Sequence, residues 1–355
     1  MTTRTHRDHA PASIPIPIPI PIPIPALGRR TLLAGAAAAL GALAAPGGAF
    51  AQAAFPGRAV RFVVPFPAGG PVDTTGRAVA QKLSEVWGVP AVVDNRAGAG
   101  GIVGAEIAAR LPADGHHVFV CSIHHAVLPS LKPRLAYDIE KDFVPLSFGA
   151  MFPVVLVAHP GVPVKSVADV VALDRRAPGT LSFGSAGNGG GTHLAGELFN
   201  MQAGTRLLHV PYKGSAPAMS DLLGGQVQFM FSDAPTALPQ IRAGKVRAIA
   251  VASARRSALL PDVPTVAESG LPGVSGYEAY SWAAFLAPAG TPAALAQRLG
   301  ADIGKALDDP QVRQRLQDAG AEAMPTTPEA FAKMLHAEIA KWTKVVRTAD
   351  IRVDG

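Results

Sequence analysis

The sequence predicts an α/β protein of two lobes, and three observations carry that prediction. Strand-like and helix-like segments alternate at α/β spacing from Phe55 onward. Two glycine-rich junctions of similar build, Phe62–Arg77 (FVVPFPAGGPVDTTGR) and Leu181–His193 (LSFGSAGNGGGTH), lie about 120 residues apart. Two apolar runs, Val154–Ala158 and Trp282–Leu286, are placed to cross between lobes as hinge strands. The expected organisation is an export signal over 1–51, a first lobe over 52–153, a second over 154–283, and a helical return over 284–355 that packs on the first lobe.

The elements justify this reading in order. Six Ile-Pro pairs from Ile14 to Pro25 are extended rather than folded, because proline neither continues a helix nor donates to a sheet. Arg29-Arg30, an apolar small-residue stretch and Ala49-Phe50-Ala51 then follow the pattern of a secretory signal cleaved after Ala51. The paired arginines suit twin-Arg export without excluding general secretion. Leu32–Ala45 is too short and too rich in Ala and Gly for a membrane anchor, so no membrane insertion of the mature chain is expected. The expected compartment is a bacterial periplasm.

Val79, Leu83, Val86 and Trp87 share one face of a helix that Gly88 ends. Strand Val89–Val93, a helix introduced by Gly98–Gly101 and running through Arg110, and strand His117–Cys121 follow. Ser166, with Asp169 three residues on, gives a capping-box pattern. The second lobe reads as strand Leu181–Gly184, helix Thr192–Ala203, strand Leu207–Val210 and helix Ser215–Leu223. Strand Val227–Phe231, helix Pro235–Ala243 and strand Val246–Ala252 complete it. Helices Ala293–Leu307, Pro310–Ala319 and Pro328–Arg347 form the return.

The junctions carry the chemistry. A strand that turns through Gly and Pro into a helix start directs free backbone N–H groups and the positive end of a helix dipole at one spot. Each junction is thus an anion receptor without a charged side chain, and two of them suggest a ligand gripped from both sides.

Other functions find little support. Aromatic residues are 6% of the 355 and are not interleaved with basic runs, which argues against nucleic acid. Of the formal charge of +6, residues 1–51 contribute Arg4, Arg7, Arg29 and Arg30 against Asp8. The remainder is only mildly basic, and its charge identifies no partner. Gly98–Gly104 lacks both the third glycine and the acidic residue of a dinucleotide loop. Gly187–Gly191 lacks the Lys-Ser/Thr of a nucleotide loop, Ser185 is not in a nucleophile elbow, and no HExxH occurs. The pairs His116-His117 and His124-His125, read on strands, point to opposite faces and cannot readily chelate one metal. The single Cys121 reads as a buried small hydrophobe. Neither an enzyme, a cofactor nor a metal is expected.

Eight phrases in order give a resemblance. They are RFVVPFPAGGPVD (Arg61–Asp73), NRAGAGGIVGAE (Asn95–Glu106), AYDIEKDFVPL (Ala136–Leu146), GSAGNGGGTHLAGELF (Gly184–Phe199), HVPYKGSAPAMSDLLGGQV (His209–Val227), AGKVRAIAVAS (Ala243–Ser253), LPDVPTVAESGLPG (Leu260–Gly273) and APAGTP (Ala287–Pro292). On these the chain, from Phe55 to about Trp342, resembles the Bug-type extracytoplasmic solute receptors of tripartite tricarboxylate transporters. The resemblance implies a two-lobed type II periplasmic-binding-protein fold that closes on a small carboxylate. It implies one ligand carboxylate held by backbone amides of the loop formed by Phe66, Pro67, Ala68, Gly69 and Gly70, with Asp73 beside it. The opposite lobe is expected to contribute Ser185, Ala186, Gly187, Asn188, Gly189, Gly190, Thr192 and His193, with Tyr212, Lys213 and Asp233 nearby.

The chain departs from the family pattern at Gly76, where Ala is common, and at His124 and His125, where small polar residues are common. Ser122 and His124, at a strand end on the cleft side, join the candidate site. His124 either supplies a hydrogen bond or, protonated, a charge for a second carboxylate, or points away. An Asp233 in the pocket would favour an ammonium or a hydroxyl; an Asp233 in solvent would leave di- or tricarboxylates preferred.

The function implied is capture of a di- or tricarboxylate, acidic amino acid or aromatic acid for delivery to membrane transporter subunits. The alternative is a ligand-sensing partner of a membrane signalling protein that uses the same pocket.

Overall fold

Residues 55–132 and 134–351 are described by the structure, a computed structural model; the export signal and Ile-Pro repeat expected over 1–51 lie outside the described residues. Strand β1 (Val60–Val64) has both faces buried: Phe62 and Val64 enter one apolar cluster, Val63 another. Such an all-apolar run marks an interior parallel strand covered by helices on both sides. β1 pairs in parallel with β2 (Ala91–Asn95) and β3 (His117–Ser122). Helix α1 (Pro71–Trp87) connects β1 to β2, and it ends at Gly88, whose left-handed φ of 68° suits a residue without Cβ. Helix α2 (Ile102–Ala109) precedes β3, and α3 (Ile123–Leu131) follows it directly.

Strand β4 (Phe143–Ala158) organises the molecule. Its residues Phe143–Pro153 pair antiparallel with β9 (Tyr280–Pro288), which also pairs with β3. Its last residues, Val154–Ala158, pair instead with β7 (Phe229–Asp233) and β8 (Arg247–Val251). The expected crossing run Val154–Ala158 is therefore the far end of a longer strand. Pro145 and Gly149 obscured the rest, because a register shift at each absorbs its misfit with a regular ladder, between Pro145 and Ser147 and between Phe148 and Ala150. The chain returns at Ala279–Tyr280: the Ala279 N–H donates to Ala252 O, and Tyr280 lies opposite Pro153.

Beyond β4 the second half of the sheet runs β7, β5 (Ser182–Ser185) and β6 (Leu208–Pro211), all parallel. Helices α4 (Val167–Arg176), α5 (Gly191–Ala203), α6 (Ser215–Leu223) and α7 (Ala234–Arg242) serve it. Ser166 caps α4 by accepting the Asp169 N–H, and the Asp169 carboxylate reaches back to accept from Lys165 N at 2.8 Å.

The terminal helices α8 (Ala293–Asp308), α9 (Pro310–Asp318) and α10 (Pro328–Thr348) carry Leu299, Ile303, Leu316, Phe331 and Trp342 into the core. Buried Glu338 accepts from the indole N–H of both Trp282 and Trp342, tying α10 to β9. Burying each large apolar side chain stabilises the fold by about 1.5–3 kcal/mol.

Candidate ligand-binding site

Strands β1 and β3 run antiparallel to β5, β6 and β7 across the intervening β9 and β4, so the C-terminal ends of the two sets meet. The helices after them, α1, α3, α5, α6 and α7, open there onto a single cleft of about 720 Å³. Ligands of open α/β sheets bind at this end of the strands, where helix N-termini converge. Phe152, Ser281 and Trp282, from β4 and β9, complete the lining.

The first wall is Phe66–Gly70. Its shape is set from behind by Asp73, almost wholly buried on α1. Asp73 Oδ2 accepts from the Gly69 N–H and from Arg77 Nε, both at 2.8 Å, and Oδ1 accepts from Asn95 Nδ2 at 2.8 Å. Asn95 Nδ2 also donates to Phe66 O at 3.0 Å, closing the bracket. Burial alone would raise the Asp73 carboxyl, but the bonds from Arg77, Gly69 and Asn95 outweigh it and hold the carboxyl below its usual range. The N–H groups of Gly70 and Val72 have no acceptor among the described residues.

The second wall is Ala186–Gly190. Here the braces are neutral. The Ala186 N–H donates to Thr192 Oγ1 at 3.0 Å and the Gly189 N–H to His193 Nδ1 at 3.0 Å. Ser185 Oγ lies 2.6 Å from His209 Nε2 and accepts from the Gly187 N–H. The rings of His193 and His209 stack 3.7 Å apart. Burial, then the neighbouring His193, lowers His209 to about 3, so it is neutral. The N–H groups of Gly190, Gly191 and Thr192 have no acceptor among the described residues.

His124 sits between the walls. It packs on Phe66, 5.2 Å between ring centres, and a Cβ on Gly190 would stand 3.3 Å from its Nε2. Burial lowers its pKa to about 4, so at neutral pH it offers a hydrogen bond and not the charge entertained from the sequence. Asp233 ends β7 and faces the cleft. Its Oδ1 accepts from Ser281 Oγ at 2.7 Å, and Oδ2 has no protein partner among the described residues. Burial raises its pKa to about 6, with the Ser281 bond opposing.

Of the residues singled out from the sequence, Phe66, Pro67, Ala68, Gly69, Gly70, Ser122, His124, Ala186, Gly187, Asn188, Gly190, Thr192 and Asp233 line the cleft. Six do not. Asp73, Ser185, Gly189 and His193 stand behind the two walls, spent on the bonds that shape them. Tyr212 turns away to donate to Asp221 Oδ2 at 2.7 Å, and burial, then this bond, pushes its hydroxyl up to about 12. Lys213 is exposed and pairs with no acid among the described residues. The Gly69 amide, expected to meet ligand, is already committed to Asp73.

Sequence reasoning missed Ser281, Thr236, Ser215 and Ala216. The last three occupy the first turns of α6 and α7, a signal available from the sequence. Ser281 had none, because β9 brings it in from the far end of the chain. His124 and His125 start a helix rather than continuing a strand, which sends His125 into the core. There its Nδ1 accepts from Ser122 N at 3.0 Å, and burial, then His124, lowers it to about 3.

His193, Glu197 and His209 lie close enough to suggest a metal. However, His193 Nδ1 accepts an N–H, which puts the ring proton on the Nε2 that faces Glu197. A protonated nitrogen has no lone pair for a metal. Cys121 is fully buried, and burial pushes its thiol up, which suits packing rather than reaction.

Residues 75–351 match the family described as the tripartite tricarboxylate transporter family receptor. The chain belongs to this receptor family. It is 37% identical to protein BugT of Bordetella pertussis over 82% of this chain and 90% of that one. Among solved structures, Rpa4515 of R. palustris with adipate shares 36% identity at a TM-score of 0.73, covering 84% of this chain and 99% of its own. MatC of Rhodopseudomonas palustris with bound malate shares 34% identity at a TM-score of 0.69, covering 82% and 100%. The receptor family comprises periplasmic solute-binding proteins rather than enzymes, and the receptor shares their α/β fold. No helix among its described residues is long and apolar enough to cross a membrane.

Proposed function

We propose that this receptor captures a small organic carboxylate in the periplasm and delivers it to the membrane subunits of a tripartite transporter. The observation that carries the reading is the pair of glycine-rich walls, each with unpartnered helix-opening amides, facing one another across the cleft. A carboxylate there gains charge-assisted bonds from main-chain donors at fixed positions, each contributing about 1.5–3 kcal/mol. Adipate in Rpa4515 and malate in MatC support the ligand class.

The division at residues 52–153, 154–283 and 284–355 belongs to this proposal, with β4 and the return at Ala279–Tyr280 as the hinge. The change of β4 partners between Pro153 and Val154 supports it. A cleaved signal ending at Ala51 belongs to the proposal too, and membership of a periplasmic receptor family supports it.

A thermal-shift panel on the chain from Gln52, spanning dicarboxylates, tricarboxylates, acidic amino acids, aromatic acids and phosphate, tests the function. A ligand at 100 times its dissociation constant stabilises the fold by about 2.7 kcal/mol, which raises Tm by a few degrees. A shift with one acid class supports the proposal; none with any carboxylate, after stripping of co-purified ligand, refutes it.

A further inference from the structure

We propose that the acid this receptor takes also carries an ammonium group, and that Asp233 selects it. The proposal rests on the reading of the cleft as a carboxylate receptor and names the ligand class within it.

The lining is electrostatically lopsided. Its walls present amide N–H groups, which suit an anion, yet no Lys or Arg is among the residues that line it. The one ionisable side chain besides neutral His124 is Asp233. Asp233 begins α7 but does not cap it; its side chain turns to Ser281 instead. That bond occupies Oδ1 and leaves Oδ2 open to the cavity. A dicarboxylate dianion would satisfy the amides and then confront a second negative charge at close range. An amino acid satisfies both: carboxylate to the walls, ammonium to Asp233. A hydroxyl can fill one lone pair on Oδ2, but it leaves the charge uncompensated in a site that closes around the ligand.

Proton linkage separates the two ligand types. In the empty cleft, burial sets Asp233 at about 6. A bound ammonium pulls that value down, so binding near pH 6 releases protons; a bound dianion raises it, so binding takes protons up. The groups facing Asp233 are few: the Ser281 hydroxyl from β9 and His124 from α3, while α5 and α6 bring no ionisable side chain to the cleft.

The experiment is titration calorimetry at pH 6 in two buffers of different ionisation enthalpy. The ligands are the pairs L-glutamate/glutarate and L-aspartate/succinate, run on the wild-type chain and on Asp233→Asn. The expected result is tighter binding of the amino member by at least about tenfold, with proton release. Asp233→Asn should bring the members of each pair to near-equal affinity and abolish the proton release; an unchanged melting profile establishes that the variant folds. Equal or tighter wild-type binding of the des-amino acids overturns the assignment while leaving the carboxylate receptor intact. A preference that survives in Asp233→Asn overturns the role of Asp233. Failure of all four acids to bind, while another carboxylate of the thermal-shift panel binds, overturns this proposal alone; failure of every carboxylate overturns the receptor reading as well.

Discussion

The two walls of the cleft present the same surface, amides at the start of a helix, but are held from behind by opposite chemistry. Phe66–Gly70 is braced by an ionised carboxylate with a guanidinium and an amide around it: Asp73, Arg77 and Asn95. Ala186–Gly190 is braced by neutral groups: Thr192, His193, Ser185 and His209. An acceptor that carries charge binds an N–H about twice as strongly as a neutral one. The first wall is therefore the stiffer, and the second has more freedom to adjust to a ligand's far end. The same contrast separates two carboxylates at helix starts: Asp73 is surrounded by donors that hold its carboxyl below the usual range, while Asp233 has one donor and burial raises it to about 6.

The largest expected effect comes from removing the charged brace. Asp73→Ala frees the Gly69 amide and lets the wall relax, and the lost charge-assisted bonds amount to about 1.5–3 kcal/mol each. Titration calorimetry should show affinity lower by roughly 100-fold, with the melting temperature several degrees down. A change no larger than that of His193→Phe would erase the contrast between the walls.

Gly190→Val comes next. Its backbone angles suit any residue, φ −83° and ψ 167°, so the fold tolerates the change. The added Cβ presses on His124 Nε2 at 3.3 Å and narrows the cleft. Overpacking of this kind costs about 1–3 kcal/mol, so roughly tenfold weaker binding with a near-normal melting profile is expected. Gly69→Val is a poorer probe: φ there is +85°, and the strain would act on the loop itself.

His193→Phe keeps the ring stack but removes one neutral acceptor, worth about 1 kcal/mol. About fivefold weaker binding should follow in the same titration. Lys213→Ala, at an exposed residue outside the lining, should change affinity less than about twofold; a greater loss would move Lys213 back into the site.

The carboxylate contrast has its own pH signature. Asp233, raised to about 6 from an ordinary 3.8, binds more protons in the folded chain than in the unfolded one across that interval. Its contribution to the stability of the ligand-free receptor therefore diminishes as pH rises from about 4 to 6. Asp73 acts oppositely: its contribution is present above 3.8 and is lost as pH falls through its lower folded value. Buried neutral His124, His125 and His209, lowered to about 4, 3 and 3, oppose Asp233 and outnumber it. Denaturant unfolding from pH 4 to 7 should therefore show stability rising with pH in the wild type, and rising more steeply in Asp233→Asn. Identical slopes would mean that Asp233 is not buried as described.

Much of this was legible in the sequence. The strand-turn-helix junctions, the alternation of elements and most of the cleft lining followed from glycine placement, helix starts and ordered family phrases. What was not legible depended on side-chain direction. Nothing local reveals that His193 faces the back of its loop, that Tyr212 turns to Asp221, or that Asp73 claims the Gly69 amide. Each is decided by a partner brought in by the fold. β4 was half hidden for a related reason: Pro145 and Gly149 read as interruptions until the bulges that accommodate them are seen.

Hydrogen–deuterium exchange tests the central claim most directly: that main-chain amides on both walls hold the carboxylate. The chain would be compared alone and with a saturating acid from the thermal-shift panel. Slower exchange is expected in Phe66–Asp73 and Ala186–His193 together, because ligand occupies amides in both. Protection confined to one wall, or absent from both while the acid is bound, would contradict the account.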